Sequence, residues 1–390
     1  MLKNFFKKYK YAIVVFLIVK IVFAVILFVT YPLAPFSAFD YYANGYRFAE
    51  AIGIFEKHLA AYDGQWYLHI ARYGYFQFPA EITQAQAYAF FPLYPLLISF
   101  LSKLLLNNLV LTALLISFTA SFIATIILYK LVYLDYSEQI ARRSVLAFLI
   151  FPAAIFYLGV YTESLFMAFS LGVLYFIRTH RWFAGGVVSY LAALTRPQGV
   201  LLSLPIFIEY VVYWKKTNDH LGKKLLRGLT LLSAPLGLAS YYFFLYLHTG
   251  DFFAHLKGNG EVWGRETPNI ATLLGVFTQG ILQFPALPFH SFLYSKLDVA
   301  STVIFLLLLG WYARTVRVSY VFYSLILILL PLSTGTTSSM IRYVSLSFPH
   351  YIFLALLGLK YKFVQTLLCV MSFSLLIVLG IRFVHWYWAG

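Results

Sequence analysis

A short segment at residues 60–75, "AAYDGQWYLHIARYGY", combines a carboxylate, an imidazole and a guanidinium with five aromatic rings. Its pattern predicts a helix that begins at Asp63, as N-cap or first-turn residue, and stops at Gly74. One interpretation is that Asp63 only caps this helix and that its aromatic residues form an interfacial belt. The other is that Asp63 is a general base that takes a proton from an acceptor hydroxyl. Trp66 and Tyr67 would then line a substrate site.

Four further ionisable residues lie at the outer ends of apolar runs or in an outer loop. They are Glu163 in "YTESLF", Arg196 in "LTRPQG", Arg265 in "VWGRETP" and Arg342 in "SMIRY". Each has a structural explanation, such as mutual neutralisation, snorkelling or solvation in a loop. Together, a carboxylate near several arginines is typical of a transferase that acts on a phosphate-linked lipid, because the guanidinium fork suits a departing phosphate. We therefore assign all four to substrate binding.

The segment around residues 248–266 contains a second group of polar side chains. Its potential metal ligands are His248, Asp251, His255, Glu261 and Glu266. Oxygen ligands of this kind suit a divalent cation, but none of the spacings is diagnostic of a metal site. We expect Asp251 and Trp263 to contact substrate and expect no required cofactor, with a divalent metal left open as an alternative.

The composition determines the class of protein that must position these groups. Of 390 residues, 62% are hydrophobic and 11% charged, and the mean hydropathy is +0.80. These values exclude an ordinary soluble domain, and windows of ~20 apolar residues recur along the chain. The first run, 11–31, is longer than the apolar core of a signal peptide. We predict an all-α polytopic membrane protein forming a single domain over residues 1–390.

We predict about eleven transmembrane helices and an N-terminus in the cytoplasm. The predicted spans are 11–31, 108–130, 144–160, 162–179, 182–195, 199–214, 226–248, 298–313, 318–333, 342–359 and 363–384. The run 87–105 contains Pro92 and Pro95, which interrupt a helix, so we place it at the outer interface. Two long outer loops, 32–107 and 249–297, would form a cap over the active site.

The distribution of charge supports this arrangement. The chain has a net charge of +15. With the N-terminus inside, the inner segments contain 18 basic and three acidic residues, a balance of +15. Cationic loops orient helices with that side in the cytoplasm and interact with anionic membrane lipids. A nucleic-acid partner is therefore not needed to explain the charge. The only cysteine, Cys369, excludes a disulfide within one chain.

The motifs, taken in order, resemble the PIG-V type mannosyltransferases. The resemblance rests on "YDGQWYLHIARYGY", "YAFFPLYPLL", "YTESLF", "LTRPQG" and "SMIRY", spread over about residues 60 to 350. It implies a GT-C glycosyltransferase fold, with interfacial helices and a catalytic acidic residue in the first outer loop, an active site facing outward and a polyprenyl-phosphate sugar donor. Asp63 matches the aspartate of the family's Trp-Asp pair, although Tyr62 replaces the tryptophan. Glu163 and Arg196 match an acidic and a basic position of the family.

The resulting hypothesis is an inverting glycosyltransferase in the plasma membrane of a prokaryote. It would move a hexose, with mannose expected, from a polyprenyl-phosphate carrier to a hydroxyl of a lipid, glycan or protein acceptor. Asp63 would be the base, and Arg196 with Arg342 or Arg265 would stabilise the departing phosphate. The alternative is a transporter of lipid or polyprenyl-phosphate carriers without sugar transfer, and a third hypothesis is an inactive scaffold. The absence of an internal repeat and of a charged path to the inner side favours the enzyme.

Overall fold

The computed structural model describes residues 2–44, 58–77, 84–265, 267–289 and 295–390. These residues form α-helices, short 3₁₀ segments and connecting turns, and no β-strand occurs among them. The α-helices are α1 (Leu2–Thr30), α2 (Ala38–Asn44), α3 (Asp63–Tyr73), α4 (Leu93–Ser102), α5 (Leu109–Asp135), α6 (Glu138–Leu149), α7 (Glu163–Arg178), α8 (Trp182–Ala193), α9 (Ser203–Lys216), α10 (Leu221–Gly228), α11 (Ser233–Thr249), α12 (Ala254–Trp263), α13 (Ile270–Gln283), α14 (Lys296–Tyr312), α15 (Val318–Leu332), α16 (Met340–Ser345), α17 (Pro349–Lys360) and α18 (Lys362–Val384). The prediction of an all-helical chain is confirmed for the described residues.

Several helices have the length and composition of membrane spans. In the described part of the chain, four meet both criteria: Phe6–Leu33, Leu109–Asp135, Leu221–Thr249 and Lys362–Val384. Shorter apolar helices of 10–17 residues accompany them. The chain is therefore an integral membrane protein, and its apolar helices pack around a common core that includes Phe16, Tyr161 and Tyr323.

Two of the predicted spans are interrupted by residues that belong to no helix. The run 144–160 is divided because α6 ends at Leu149 and a 3₁₀ segment, Pro152–Tyr157, follows. The run 342–359 is divided because α16 ends at Ser345 and Pro349 begins α17. A proline lacks the backbone donor needed inside a helix and therefore tends to start a new one. The prediction of one continuous helix was wrong at both places.

The run 87–105 forms no long helix. It contains α4, which has 10 residues, and a 3₁₀ segment, Gln84–Ala89, precedes it. At 1.5 Å per residue, α4 is about 15 Å long, roughly half of the ~30 Å hydrocarbon layer. The helix is therefore shorter than the hydrocarbon layer, and the location of this run at the outer interface stays a prediction.

An ionic cluster joins α5, α7, α9 and the start of α15 at one end of the bundle. Arg178 donates to both carboxylate oxygens of Asp135 over 2.7 Å. Arg317 donates to both oxygens of Glu209 over 3.0 Å, and Ser319 donates to the same carboxylate. The cluster brings together the turns predicted to lie inside, 130–143, 178–181 and 314–317. Glu163 begins α7 at its opposite end, about 24 Å away for 16 residues.

Replacement of Glu209 by glutamine should destabilise the bundle without changing the distant polar site. Glu209 is buried, and its loss would leave Arg317 without its bidentate partner. The Arg317 side chain is 32% exposed, so the cost should lie below the ~3–5 kcal/mol of a fully buried pair. The expected result is a lower unfolding temperature of the detergent-solubilised protein, with ligand affinity at the opposite end unchanged. An unfolding temperature equal to that of the wild type would contradict this role.

The two long loops predicted to lie outside also pack together in the structure. Helix α12 lies across the 3₁₀ segment Gln84–Ala89, and a Cβ atom at Gly258 would collide with the carbonyl oxygen of Ala85. Nε1 of Trp263 donates to the carbonyl of Gln86 over 3.2 Å. Only glycine permits this close backbone approach. The glycine at position 258 is therefore needed for the second loop to pack on the first in this way.

Candidate active site

A cavity of about 380 Å³ lies where these two loops meet the ends of the bundle helices. Six of the nine sequence-predicted site residues line it: Asp63, Tyr67, Arg196, Trp263, Arg265 and Arg342. They come from four separate segments of the chain, as the predicted shared cavity requires. Glu163, Trp66 and Asp251 are not among the lining residues.

A buried carboxylate organises two of the arginines. Glu163 is 0% exposed, and its Oε1 accepts from Nε and Nη2 of Arg342 over 2.9 and 2.7 Å. Nη1 of Arg196 lies 2.7 Å from the same oxygen. Glu163 therefore lies behind the arginines, where it fixes their side chains and does not reach the cavity. Its position supports an indirect role in place of the predicted contact with substrate.

Arg342 connects this buried carboxylate to Asp63. Nη2 of Arg342 donates to Oδ2 of Asp63 over 3.0 Å, and the Asp63 side chain is 25% exposed. Helix α3 begins at Asp63, with Tyr62 as N-cap, and ends at Gly74, whose N–H donates to the carbonyl of Ile70 over 2.9 Å. Asp63 is thus a first-turn residue whose carboxylate pairs with an arginine of the cavity. The predicted bounds of this helix are confirmed.

Two of the three arginines lie over one aromatic ring. The guanidinium carbons of Arg196 and Arg265 lie 5.5 and 6.0 Å from the ring centre of Tyr343. Nη1 of Arg265 also donates to Thr334 over 3.1 Å. Cation–π contacts of this kind stabilise guanidinium groups whose mutual repulsion would otherwise separate them. With Asp63 and Glu163 ionised, the five charged groups have a formal net charge of +1, which suits an anionic ligand.

Two other predicted residues lie away from the cavity. Trp66 is buried, stacks on Phe90 with ring centres 5.4 Å apart, and meets Trp263 edge-on at 5.9 Å. It therefore packs behind the lining residues Phe90 and Trp263. Asp251 forms an ion pair with Lys257 and accepts from the backbone N–H of Phe253. Neither position supports the direct substrate contact predicted for these residues.

The polar residues considered as metal ligands do not converge. Nδ1 of His248 donates to the carbonyl of Phe244 over 2.8 Å and its ring stacks on Phe76, whereas His255 is buried in the cavity wall. Within the described ranges, no group of three or more His, Cys, Asp or Glu residues could bind a metal ion. Glu266 and the side chain of Glu261 lie outside those ranges.

Several lining residues were not predicted. They are Gln198, Asn259, Thr336, Ser338, Ser339, Tyr343 and Trp388. One signal for part of this set was present, because "STGTTSS" at residues 333–339 is a polar run between two apolar helices. Gln198 and Tyr343 lie in the motifs "LTRPQG" and "SMIRY", whereas Trp388 had no such signal, since aromatic residues occur throughout this chain.

His255 adds a testable pH dependence to the cavity wall. Burial lowers its pKa to about 4 from 6.5, although its bond to the Tyr88 carbonyl acts in the opposite direction. As a neutral imidazole it donates from Nδ1 to that carbonyl over 2.6 Å and accepts at Nε2 from Asn259 over 3.0 Å. Since the folded pKa is below the unfolded one, this stability is complete above about pH 6.5 and is lost as the pH falls towards 4.

The measurement is the unfolding temperature between pH 7 and pH 4. The unfolding temperature should fall less over this range in His255→Asn than in the wild type. The asparagine keeps a donor for the Tyr88 carbonyl but has no titrating group. The exposed His248→Asn is the matched control and should retain the wild-type profile. Identical profiles for all three proteins would exclude His255 as the source of the decline.

Comparison with known families agrees with the geometry. The sequence profile of the family described as Mannosyltransferase (PIG-V) matches residues 10–264, more than half of the chain. No curated protein matches the sequence of this chain. The matched part includes Asp63, Glu163 and Arg196 and ends before Arg265 and Arg342, which complete the charged cluster in the structure. The chain belongs to the PIG-V mannosyltransferase family.

Proposed function

We propose that this protein is an inverting mannosyltransferase that takes mannose from a polyprenyl-phosphate donor and attaches it to an acceptor hydroxyl. The observation that carries the proposal is the meeting of Asp63 with Arg196, Arg265 and Arg342 around one cavity. A carboxylate can accept the proton of the attacking hydroxyl. Guanidinium groups can stabilise the charge that develops on the departing phosphate.

The transfer needs one base and one anion-binding group. The acceptor oxygen forms a bond to C1 of mannose while Asp63 takes its proton, and the C1–O bond to phosphate breaks with its electron pair leaving on the phosphate. A phosphate leaves as an anion and needs no protonation, so a second carboxylic acid is not required. Asp63 is the only carboxylate among the described lining residues, and Glu163 is inaccessible. A single accessible carboxylate supports direct displacement with inversion, since retention by double displacement uses a second, nucleophilic carboxylate.

The apolar part of the cavity supports a lipid-linked donor. Its lining includes Val200, Leu201, Leu238, Leu330 and Pro331 next to the charged groups. A polyprenyl chain could leave the site across these side chains towards the bilayer. A nucleotide sugar would place its polar ribose and base there and would lose their hydration without new partners.

We further propose a GT-C architecture with about eleven spans, an N-terminus in the cytoplasm and a single domain over residues 1–390. Residues 32–107 and 249–297 would cap an active site on the outer face of a prokaryotic plasma membrane. This proposal is supported by the contribution of both loops to the cavity. The basic turns, by contrast, meet at the opposite end of α7. Positive residues on the inner side are the orientation that membrane insertion favours.

The test is a donor comparison with purified protein in lipid nanodiscs. Radiolabelled polyprenyl-phosphate mannose and GDP-mannose are each supplied with a total lipid and glycan extract as a source of acceptors. We expect label to reach the acceptor fraction from the lipid-linked donor only, with release of polyprenyl phosphate and with a product anomer opposite to that of the donor. Transfer from GDP-mannose alone, or a product of retained configuration, would overturn the proposal.

A further inference from the structure

The chain reverses direction after the last long helix and returns into the bundle. Trp386, just beyond α18, has φ +63°, a left-handed conformation that is uncommon for a bulky residue. The N–H of Tyr387 donates to the carbonyl of Arg382 over 2.9 Å, and Nε of Arg382 donates to the carbonyl of Trp388 over 3.2 Å. These bonds define the path of residues 385–390, named here the C-terminal segment.

The C-terminal segment closes one side of the cavity. Trp388 lines the cavity together with Asp63 and Arg342, and it is 9% exposed. Gly390 packs on the Arg342 side chain so closely that a Cβ atom there would collide with Cδ of that arginine. The same atom would lie 2.7 Å from the ring of Phe156. The segment therefore contacts the arginine that bridges the two carboxylates of the site.

The same segment fixes the start of α3. The Tyr62 hydroxyl donates to the carbonyl of Trp386 over 2.5 Å, and the Tyr62 ring meets Trp388 edge-on at 5.0 Å. Tyr62 has φ +51° and directly precedes Asp63. A non-glycine residue keeps such a conformation only where surrounding contacts enforce it. The contacts that hold its side chain come from residues more than 300 positions later in the chain.

We propose that the C-terminal segment is part of the active site. Trp388 contacts the transferred hexose and contributes to donor affinity, while Tyr62 and Trp386 position Asp63. An indole face is a rigid apolar surface of the kind that lines ligand pockets and on which the C–H face of a sugar ring can pack. The family match ends at residue 264 and assigns nothing to this segment. The inference rests on the proposed function for the identity of the donor.

Thiol labelling tests the location of Trp388 without any activity assay. Cys369 is the only cysteine, so Cys369→Ser provides a background without thiols. In it, Trp388→Cys should react with a water-soluble thiol reagent, whereas Trp386→Cys, fully buried and absent from the cavity lining, should not. Polyprenyl-phosphate mannose at about ten times its dissociation constant should slow labelling at residue 388 about tenfold. Equal reaction at both positions, no reaction at residue 388, or absence of protection would overturn the inference.

Kinetics separate the two roles within the segment. Trp388→Ala should raise the KM for polyprenyl-phosphate mannose about tenfold with little change in kcat, and Trp388→Phe should restore most of the loss. Tyr62→Phe, which loses only the hydrogen bond to Trp386, should lower kcat several-fold at unchanged KM. The control is Trp311→Ala, a tryptophan that is 64% exposed.

Each kinetic outcome has a defined meaning. Wild-type KM in Trp388→Ala, or an equal effect of Trp311→Ala, would refute the contact with the sugar. Wild-type kcat in Tyr62→Phe would refute the positioning of Asp63. If the wild-type protein itself transfers no mannose, the proposed function fails, and the labelling experiment still decides whether the C-terminal segment lines the cavity.

Discussion

Asp63→Asn should lower the rate of mannosyl transfer by about 10²- to 10⁴-fold, the range that a positioned general base contributes. The asparagine amide keeps the size of the side chain but cannot take the proton of the acceptor hydroxyl. We expect kcat to decrease and the KM for the donor to change little, because donor binding depends mainly on the arginines around the cavity. The measurement is turnover of polyprenyl-phosphate mannose at saturating donor, with the unfolding temperature recorded for the same preparation.

Asp251→Asn is the matched control for this experiment. Asp251 carries the same change of charge but pairs with Lys257 outside the cavity lining, so its turnover should equal that of the wild type. Asp63→Glu keeps the carboxylate but moves it by about one carbon–carbon bond, and it should retain partial activity if geometry limits the rate. Wild-type turnover in Asp63→Asn would show that the carboxylate only pairs with Arg342.

Glu163→Gln should have a different effect, because it should reduce both stability and donor affinity. The substitution removes the carboxylate that receives three hydrogen bonds or ion-pair contacts from Arg196 and Arg342. Removing one partner from a buried ion pair costs about 3–5 kcal/mol. The two guanidinium groups would then repel each other and leave their present positions. We expect a clearly lower unfolding temperature and a raised KM for the donor.

Glu138→Gln is the corresponding control. Glu138 pairs with Arg142 one turn along α6, and both side chains are about half exposed. A solvated pair of this type contributes little to stability, so the control should unfold at the wild-type temperature. If Glu163→Gln also unfolds at the wild-type temperature and binds donor normally, the buried carboxylate does not organise the arginines.

The Asp63 and Glu163 variants distinguish the roles of the two carboxylates, which differ in their surroundings. Asp63 is partly exposed to the cavity and can meet a substrate, whereas Glu163 is enclosed behind the arginines. A family motif alone assigns both to one site without distinguishing proton transfer from support of the phosphate-binding groups. The expected division is a kcat effect for Asp63 and a combined KM and stability effect for Glu163.

Local sequence signals predicted the secondary structure of the site well where they were strong. The bounds of α3 followed from Asp63 and from Gly74, whose φ of +77° is readily adopted by glycine and ends the helix. The two prolines in 87–105 indicated a short helix in place of a span. Pro152 and Pro349 also mark helix breaks, but each lies within a predominantly apolar run, from which a single span was predicted. Apolar composition averaged over a window does not reveal a helix break.

The sequence by itself therefore determined the class of the protein, the helix that presents Asp63 and the charged residues that gather near it, because composition, capping and proline act over a few residues. Only the tertiary structure decided which side chains meet. Arg342 bridges carboxylates 279 and 179 positions away. Trp66 packs behind lining residues of the cavity, and Trp388 lines the cavity from beyond the end of α18. These outcomes depend on how helices rotate and pack against distant partners, and in a chain that is apolar on nearly every face, periodicity does not specify that rotation.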